Sequence, residues 1–245
     1  MAGKIIPIFN QKGGCGKTMV AMHIGGVLGA LGFRVCVVDM DTQRTATQWF
    51  SHSVSDRDAL PLDVVALGEF GAEFLGHIGP ILKEYDLVLI DCPPALESNV
   101  PWIALLAADY ALVPVFLDDV NLWASKGAFQ LIQQARKLLK KGGKKAFDSG
   151  IVCPAVERGM VSDNNFLALE VMSKTYDIPI FKSKMVRRQA FKHGPSLGAS
   201  VDPRKKRPES IEALAVAQEL LKALKIPVPK LVPKAKSKGT SAVNK

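Results

Sequence analysis

Three observations in the sequence predict an α/β fold, with a mostly parallel, twisted sheet and helices on both faces. Six short apolar runs rich in β-branched residues recur along the chain: KIIPIF, RVCVVD, LDVVAL, DLVLID, YALVPV and SGIVCP. Stretches of helical period separate them, at 17–31, 69–83, 97–107, 120–140 and 161–176. Strand and helix in such alternation build βαβ units, and these place a parallel sheet between two layers of helices.

Taken in order, KIIPIF supplies the first strand and runs straight into a glycine-rich loop ahead of the helix at 17–31. RVCVVD is a second strand that ends in carboxylates, and LDVVAL a third, before the helix at 69–83. DLVLID ends in Asp91, followed by Pro93-Pro94 and the helix at 97–107. YALVPV leads to the long helix at 120–140, and SGIVCP to the one at 161–176. A last helix, PESIEALAVAQELLKAL, opens with Pro208, Glu209 and Glu212 and then repeats apolar residues at helical spacing, as a docked terminal helix should. Beyond Leu224 the chain is rich in Pro, Lys and Ser without period. This predicts one domain over 1–224 and a flexible basic tail over 225–245.

Composition sets the bounds. At 245 residues and 48% hydrophobic, the chain can bury one large core. No uncharged apolar run is long enough for a membrane span, and the start MAGKIIPIFNQKGG lacks the features of a signal peptide, so a cytoplasmic protein is expected. Cys15, Cys36, Cys92 and Cys153 are far apart and form no C-x-x-C pair, which argues against a zinc ribbon, an iron–sulfur bridge or a disulfide scaffold. They read as small buried thiols. Charge is distributed unevenly: residues 182–245 carry 16 of the 32 Lys/Arg and 4 of the 23 Asp/Glu, a net +12, against −3 for residues 1–181. That asymmetry predicts a surface facing a polyanion.

The strongest motif is Gln11-Lys12-Gly13-Gly14-Cys15-Gly16-Lys17-Thr18, set between a strand and a helix. Glycines let backbone N–H groups curl around phosphates, and the helix N-terminus adds a favourable dipole. Gly13, Gly14, Cys15, Gly16, Lys17, Thr18 and Met19 are therefore expected to line a nucleotide. Lys17 would reach its β- and γ-phosphates, and the Thr18 hydroxyl would ligate magnesium. The fold expected is that of a P-loop NTPase. The common G-x-x-x-x-G-K-T spacing would need glycine at position 11; this chain has glutamine there and an extra lysine at 12.

K-G-G-x-G-K-T is the deviant Walker A motif, and on it this chain resembles the ParA/MinD ATPases, most of all small ParA-like partition ATPases without an N-terminal helix-turn-helix domain. The resemblance spans roughly residues 3–224. It implies that Lys12 reaches across a sandwich homodimer to the partner's ATP. Asp39-Met40-Asp41-Thr42-Gln43 looks like the family's D-x-D-P-Q, with Thr42 in place of proline. By that resemblance Asp41 orients the attacking water and Asp39 supports the magnesium shell. Asp91-Cys92-Pro93-Pro94 matches the family's Walker B segment, whose carboxylate holds magnesium through water. Lys12, Lys17 and Asp41 are thus the catalytic candidates, and Thr18, Asp39 and Asp91 the metal candidates. ATP and Mg2+ are the implied cofactors, and hydrolysis is expected to be slow until a partner accelerates it.

In ParA-like proteins, basic residues near the C-terminus bind DNA without sequence preference. The candidates here are Arg187, Arg188, Lys192 and the cluster Arg204-Lys205-Lys206-Arg207. The resemblance implies a nucleoid-associated partition ATPase that binds non-specific double-stranded DNA as an ATP dimer. It also implies a ParB-like or small centromere-binding adaptor. A proline-broken tail with few bulky apolar residues argues against membrane targeting. Three other readings stay open: a MinD-like regulator or other cargo-positioning ATPase, a metabolic synthetase of the same superfamily, and an iron–sulfur carrier that the missing C-x-x-C argues against.

Overall fold

The computed structural model describes residues 3–53, 60–94, 98–157 and 164–231. Each of the six apolar runs forms one strand: β1 (Lys4–Ile8), β2 (Val35–Asp39), β3 (Asp63–Ala66), β4 (Leu87–Asp91), β5 (Tyr110–Pro114) and β6 (Asp148–Val152). They make one sheet in the order β3-β2-β4-β1-β5-β6, with every pairing parallel. Five of the strands are largely buried because alternate residues enter two separate cores, while edge strand β3 is only half-buried. Ile5, Val38, Val88 and Ile90 face one core; Ile6, Ile8, Val37 and Leu89 face the other.

The first core is closed by α3 (Leu75–Glu84), α4 (Val100–Leu106), α5 (Asp119–Lys141) and α6 (Asn164–Tyr176). The second is closed by α1 (Lys17–Ala30), α2 (Thr45–Ser51), α7 (Gln189–Leu197) and α8 (Pro208–Ala223). α1 is buried around most of its circumference. It approaches the chain at Pro61 so closely that a Cβ on Gly29 would sit 1.6 Å from that carbonyl oxygen. α1 leads from β1 towards β2 on one face, and α4 leads from β4 to β5 on the other. The crevice at the carboxyl ends of the central strands is where such sheets bind ligands.

The helices differ from expectation in three places. The stretch 69–83 is not one helix, since a 3-10 segment at Gly68–Phe74 breaks at Gly71 (φ 48°, ψ −125°) before α3 begins. α2 and α7 were not expected at all. α2 is seven residues long with Arg44 in the left-handed region at its N-cap, and α7 carries Gly194 and Pro195, so neither shows a clean helical pattern. Past Leu224, the partly buried Ile226, Val228 and Leu231 pack against the second core. Residues 161–163 and 232–245 lie outside the described residues.

Candidate nucleotide site

The loop from Phe9 to Gly16 leaves β1 at the carboxyl edge and is held by its neighbours. Buried Asn10 donates through Nδ2 to the Pro114 carbonyl (2.8 Å) and to Ser125 Oγ (2.9 Å), while its Oδ1 accepts the Gln11 N–H (2.7 Å). The Gln11 side chain lies flush on α5, where a Cβ on Gly127 would be 1.9 Å from its Oε1. Glutamine thus has a packing role where the common motif has glycine. Gly14 (φ 72°) and Gly16 (φ 88°) take the left-handed conformation that only glycine adopts cheaply. Gly16 is the N-cap of α1 and offers no side chain to the helix, which leaves the first-turn N–H groups facing the loop.

Lys17 is buried, and its Nζ donates across the loop to the Lys12 carbonyl (2.9 Å). This puts a positive charge in the middle of the cradle. The Lys12 side chain is half-buried, and its ammonium makes no hydrogen bond or ion pair among the described residues.

Three carboxylates come from two strand ends, and they are not equivalent. Asp91 is buried; its Oδ2 accepts the Thr18 hydroxyl at 2.6 Å, and its Oδ1 has no partner among the described residues. Burial lifts its pKa to about 7, the Thr18 bond opposing and the Asp39 charge adding to the rise. A buried oxygen left unpaired costs free energy that a cation or its water shell would offset. The Thr18 hydroxyl and Asp91 carboxylate are hard oxygen donors, so the pair fits Mg2+, which keeps most of its waters at such sites.

Asp39, expected to support the magnesium shell, is hydrogen-bonded to the segment that follows it. Both of its oxygens are engaged within the protein: Oδ2 accepts the Thr47 N–H (2.8 Å) and hydroxyl (2.7 Å), and Oδ1 accepts the Asp41 N–H (3.2 Å). Its carboxylate caps α2, which Arg44 cannot do. Asp41 is half-buried in a turn, with Oδ1 accepting the Gln43 N–H at 2.9 Å and Oδ2 unbonded among the described residues.

Beside the loop lies a cavity of about 420 Å3, lined by Met19, Phe116, Leu117, Asp118, Glu157 and Arg187 among others. Phe116 and Pro154 close on Gly16, within 3.2 and 3.4 Å of where its Cβ would be. The sequence flagged Met19 here but not Phe116, Pro154, Asn10 or Thr47. A post-strand position on β5 and β6 was the one available signal for Phe116 and Pro154.

The basic candidates divide into two groups. Arg187 pairs with Glu157 (2.8 Å), Arg188 with Glu212 (2.5 Å) and Arg204 with Asp202 (2.7 Å). Arg188 is only 19% exposed, and the Glu212 hydrogen bond raises its pKa further, so it is a structural ion pair rather than a free surface charge. Lys192, Lys205, Lys206 and Arg207 are exposed and form no ion pair among the described residues. All four cysteines are buried and free. Burial raises each thiol, to about 12 for Cys36 and Cys153, which leaves them protonated and unreactive.

A strand-loop-helix phosphate cradle over a Thr–Asp pair defines a P-loop nucleotide-binding domain. The CobQ/CobB/MinD/ParA nucleotide binding domain family matches residues 6–240, and the chain belongs to that family. It is 26% identical over 196 residues to the maintenance of carboxysome distribution protein A of Halothiobacillus neapolitanus, covering 80% of this chain and 85% of that one. It is 27% identical over 240 residues to the sporulation initiation inhibitor protein Soj of Bacillus subtilis, covering 82% and 92%. Among solved structures, an ATP complex of a Cyanothece McdA variant superposes with TM-score 0.73 at 19% identity, covering 95% of this chain and 99% of that one. The MinD cell division protein of Aquifex aeolicus superposes with TM-score 0.68 at 21% identity, covering 90% and 98%. No helix among the described residues is long and apolar enough to cross a membrane.

Proposed function

We propose that the chain is a ParA-type positioning ATPase: ATP holds it as a homodimer that binds DNA without sequence preference, and hydrolysis releases it. The observation that carries this reading is the glycine loop over the Thr18–Asp91 pair, led by a lysine whose ammonium the described residues of its own protomer do not engage. Family membership and the likeness to an ATP-bound neighbour support ATP as the ligand.

The chain's own groups divide the work. Backbone N–H groups of 13–18 and the Lys17 ammonium hold the phosphates, and Thr18 and Asp91 hold Mg2+. Mg2+ held there would supply neutralisation of charge on the phosphoryl oxygens. Lys12 serves the partner's ATP. Asp41, carried on a turn with one free oxygen, orients water for in-line attack on the γ-phosphate. Met19 and the walls of the adjacent cavity take the base. With no strong base at hand, positioning supplies most of the rate, so intrinsic turnover is slow and an adaptor of ParB-like or small centromere-binding type accelerates it.

Lys192, Lys205, Lys206 and Arg207 are the DNA-facing charges, and dimerisation doubles their number. On this reading the protein works in the cytoplasm, on the nucleoid rather than on a membrane. The ATPase domain takes in at least the segment to Leu231, beyond the boundary expected at 224. The cargo reading is the finer part: one relative is named for carboxysome distribution and another, from Myxococcus xanthus, for chromosome partitioning. The likeness to a cobyrinic acid a,c-diamide synthase of Mycobacterium smegmatis extends to the fold alone. Retention of the protein on random-sequence duplex, with ATP, with ADP and at several salt concentrations, tests the proposal. Retention with ATP only, falling steeply with salt, is expected; equal retention in both nucleotides contradicts it.

A further inference from the structure

The carboxylate of Asp39 is spent on α2, and α2 is in turn fastened to α7. Seven residues make too short a helix to hold itself in place, so its contacts decide where it lies. At its start, Asp39 Oδ2 accepts both the backbone N–H and the hydroxyl of Thr47. At its middle, buried Trp49 donates Nε1–H to the Ala199 carbonyl (3.1 Å) just past α7. The Trp49 ring lies directly on Gly194, where a Cβ would be 2.3 Å from Cζ2. At its end, a ring nitrogen of His52 sits 3.0 Å from the Pro195 carbonyl. The third side of the junction is α1: His23 meets Trp49 and Phe191 edge-on, at 5.0 and 5.1 Å between centroids.

We propose that Asp39 and Thr47 are positioning residues that make α2 a strut between the nucleotide edge and α7. Asp39 Oδ1 also holds the Asp41 N–H, so the turn carrying Asp41 and the helix carrying Lys192 are joined through one carboxylate. A shift of the Asp41 turn when nucleotide binds is therefore delivered to α7 as a rigid displacement, because a packed junction transmits movement rather than absorbing it. This rests on the nucleotide reading above, and it assigns Asp39 a different task from the magnesium shell.

The test uses the full chain and three variants: Thr47→Val, which keeps shape and loses the hydroxyl; Thr47→Ser, which restores it; and Trp49→Phe, which cuts the strut at its other end. ATP·Mg affinity and amide exchange in α7 are measured for each. In the parent, ATP should change α7 exchange by about threefold or more, as expected for a sub-global change in protection. Thr47→Val and Trp49→Phe should keep ATP affinity within about twofold yet lose most of the α7 response, and Thr47→Ser should recover it. A full α7 response in Thr47→Val, or a parent that binds ATP with no response in α7, overturns the strut. A parent that fails to bind ATP overturns the nucleotide reading and the strut with it.

Discussion

Asp39 and Asp91 stand opposite each other in register at the ends of two adjacent parallel strands, yet of the two only Asp91 keeps an oxygen unpaired among the described residues. The Asp39 carboxylate is engaged at both oxygens, by Thr47 and the Asp41 N–H, while Asp91 accepts from Thr18 at one. Two carboxylates that look alike in sequence thus do different work. Asp91→Asn should abolish most of the thermal stabilisation that Mg2+ adds to nucleotide binding and slow hydrolysis by roughly tenfold or more. Thermal shifts with ADP, in the presence and absence of Mg2+, check the first part; an unchanged Mg2+ increment would show that Asp91 does not serve the ion.

The two loop lysines should separate in their effects. Lys17 points into the cradle, so Lys17→Ala should weaken ATP binding by roughly tenfold or more, because a charge-assisted bond to phosphate disappears. Lys12 presents only its carbonyl to the cradle of its own protomer. Lys12→Ala should therefore bind ATP nearly as the parent does and lose hydrolysis. Equal loss of affinity in both variants would place Lys12 on its own protomer's ATP.

His23 predicts a pH dependence. It is fully buried, and burial lowers its pKa from 6.5 to about 4. Nδ1 accepts the Val201 N–H (3.2 Å), so the neutral ring with a proton on Nε2 satisfies both neighbours and the charged ring does not. The folded state binds fewer protons than the unfolded one between about pH 4 and 6.5. Stability is therefore complete above that window and falls through it as pH drops, by roughly 3 kcal/mol in all. The raised pKa of Asp91 acts in the opposite direction over an overlapping range. The contrast to measure is parent against His23→Gln, by denaturant unfolding at about pH 7, 5.5 and 4, which brackets the window. The parent should lose ground to the variant as pH falls; parallel curves would contradict the assignment.

Much of this was legible in the sequence because strong local signals agree with the tertiary outcome. All six strands contain a short apolar stretch rich in β-branched residues, and the phosphate loop is written in consecutive residues. What escaped was long-range. Asn10 and Gln11 owe their roles to Ser125 and Gly127, more than a hundred positions away. α2 and α7 are helices because they brace each other through Trp49 and Gly194, not because their own residues favour it. Arg188 read as a surface charge, since nothing nearby in sequence announces Glu212.

The Glu212 pairing sets Arg188 apart from the exposed basic candidates. Arg188→Ala leaves Glu212 half-satisfied and should cost about 2 kcal/mol of folding stability, whatever it does to DNA. Replacing Lys205, Lys206 and Arg207 by alanine should leave stability within about 0.5 kcal/mol. It should also lower the slope of log affinity against log salt by about 5 per dimer, since the two protomers together lose the charges and each phosphate that is no longer neutralised removes about 0.9. Urea unfolding and a salt titration of DNA retention measure the two effects; an unaltered salt slope in the triple variant would move the DNA face elsewhere.

The most direct measurement is the mass in solution of Asp41→Ala with saturating ATP and Mg2+, by light scattering after gel filtration. Without the residue that orients water, ATP should persist and hold two chains together, and Lys12→Ala added to Asp41→Ala should return the protein to one chain. A single-chain mass for Asp41→Ala under those conditions would contradict a site completed by a second protomer.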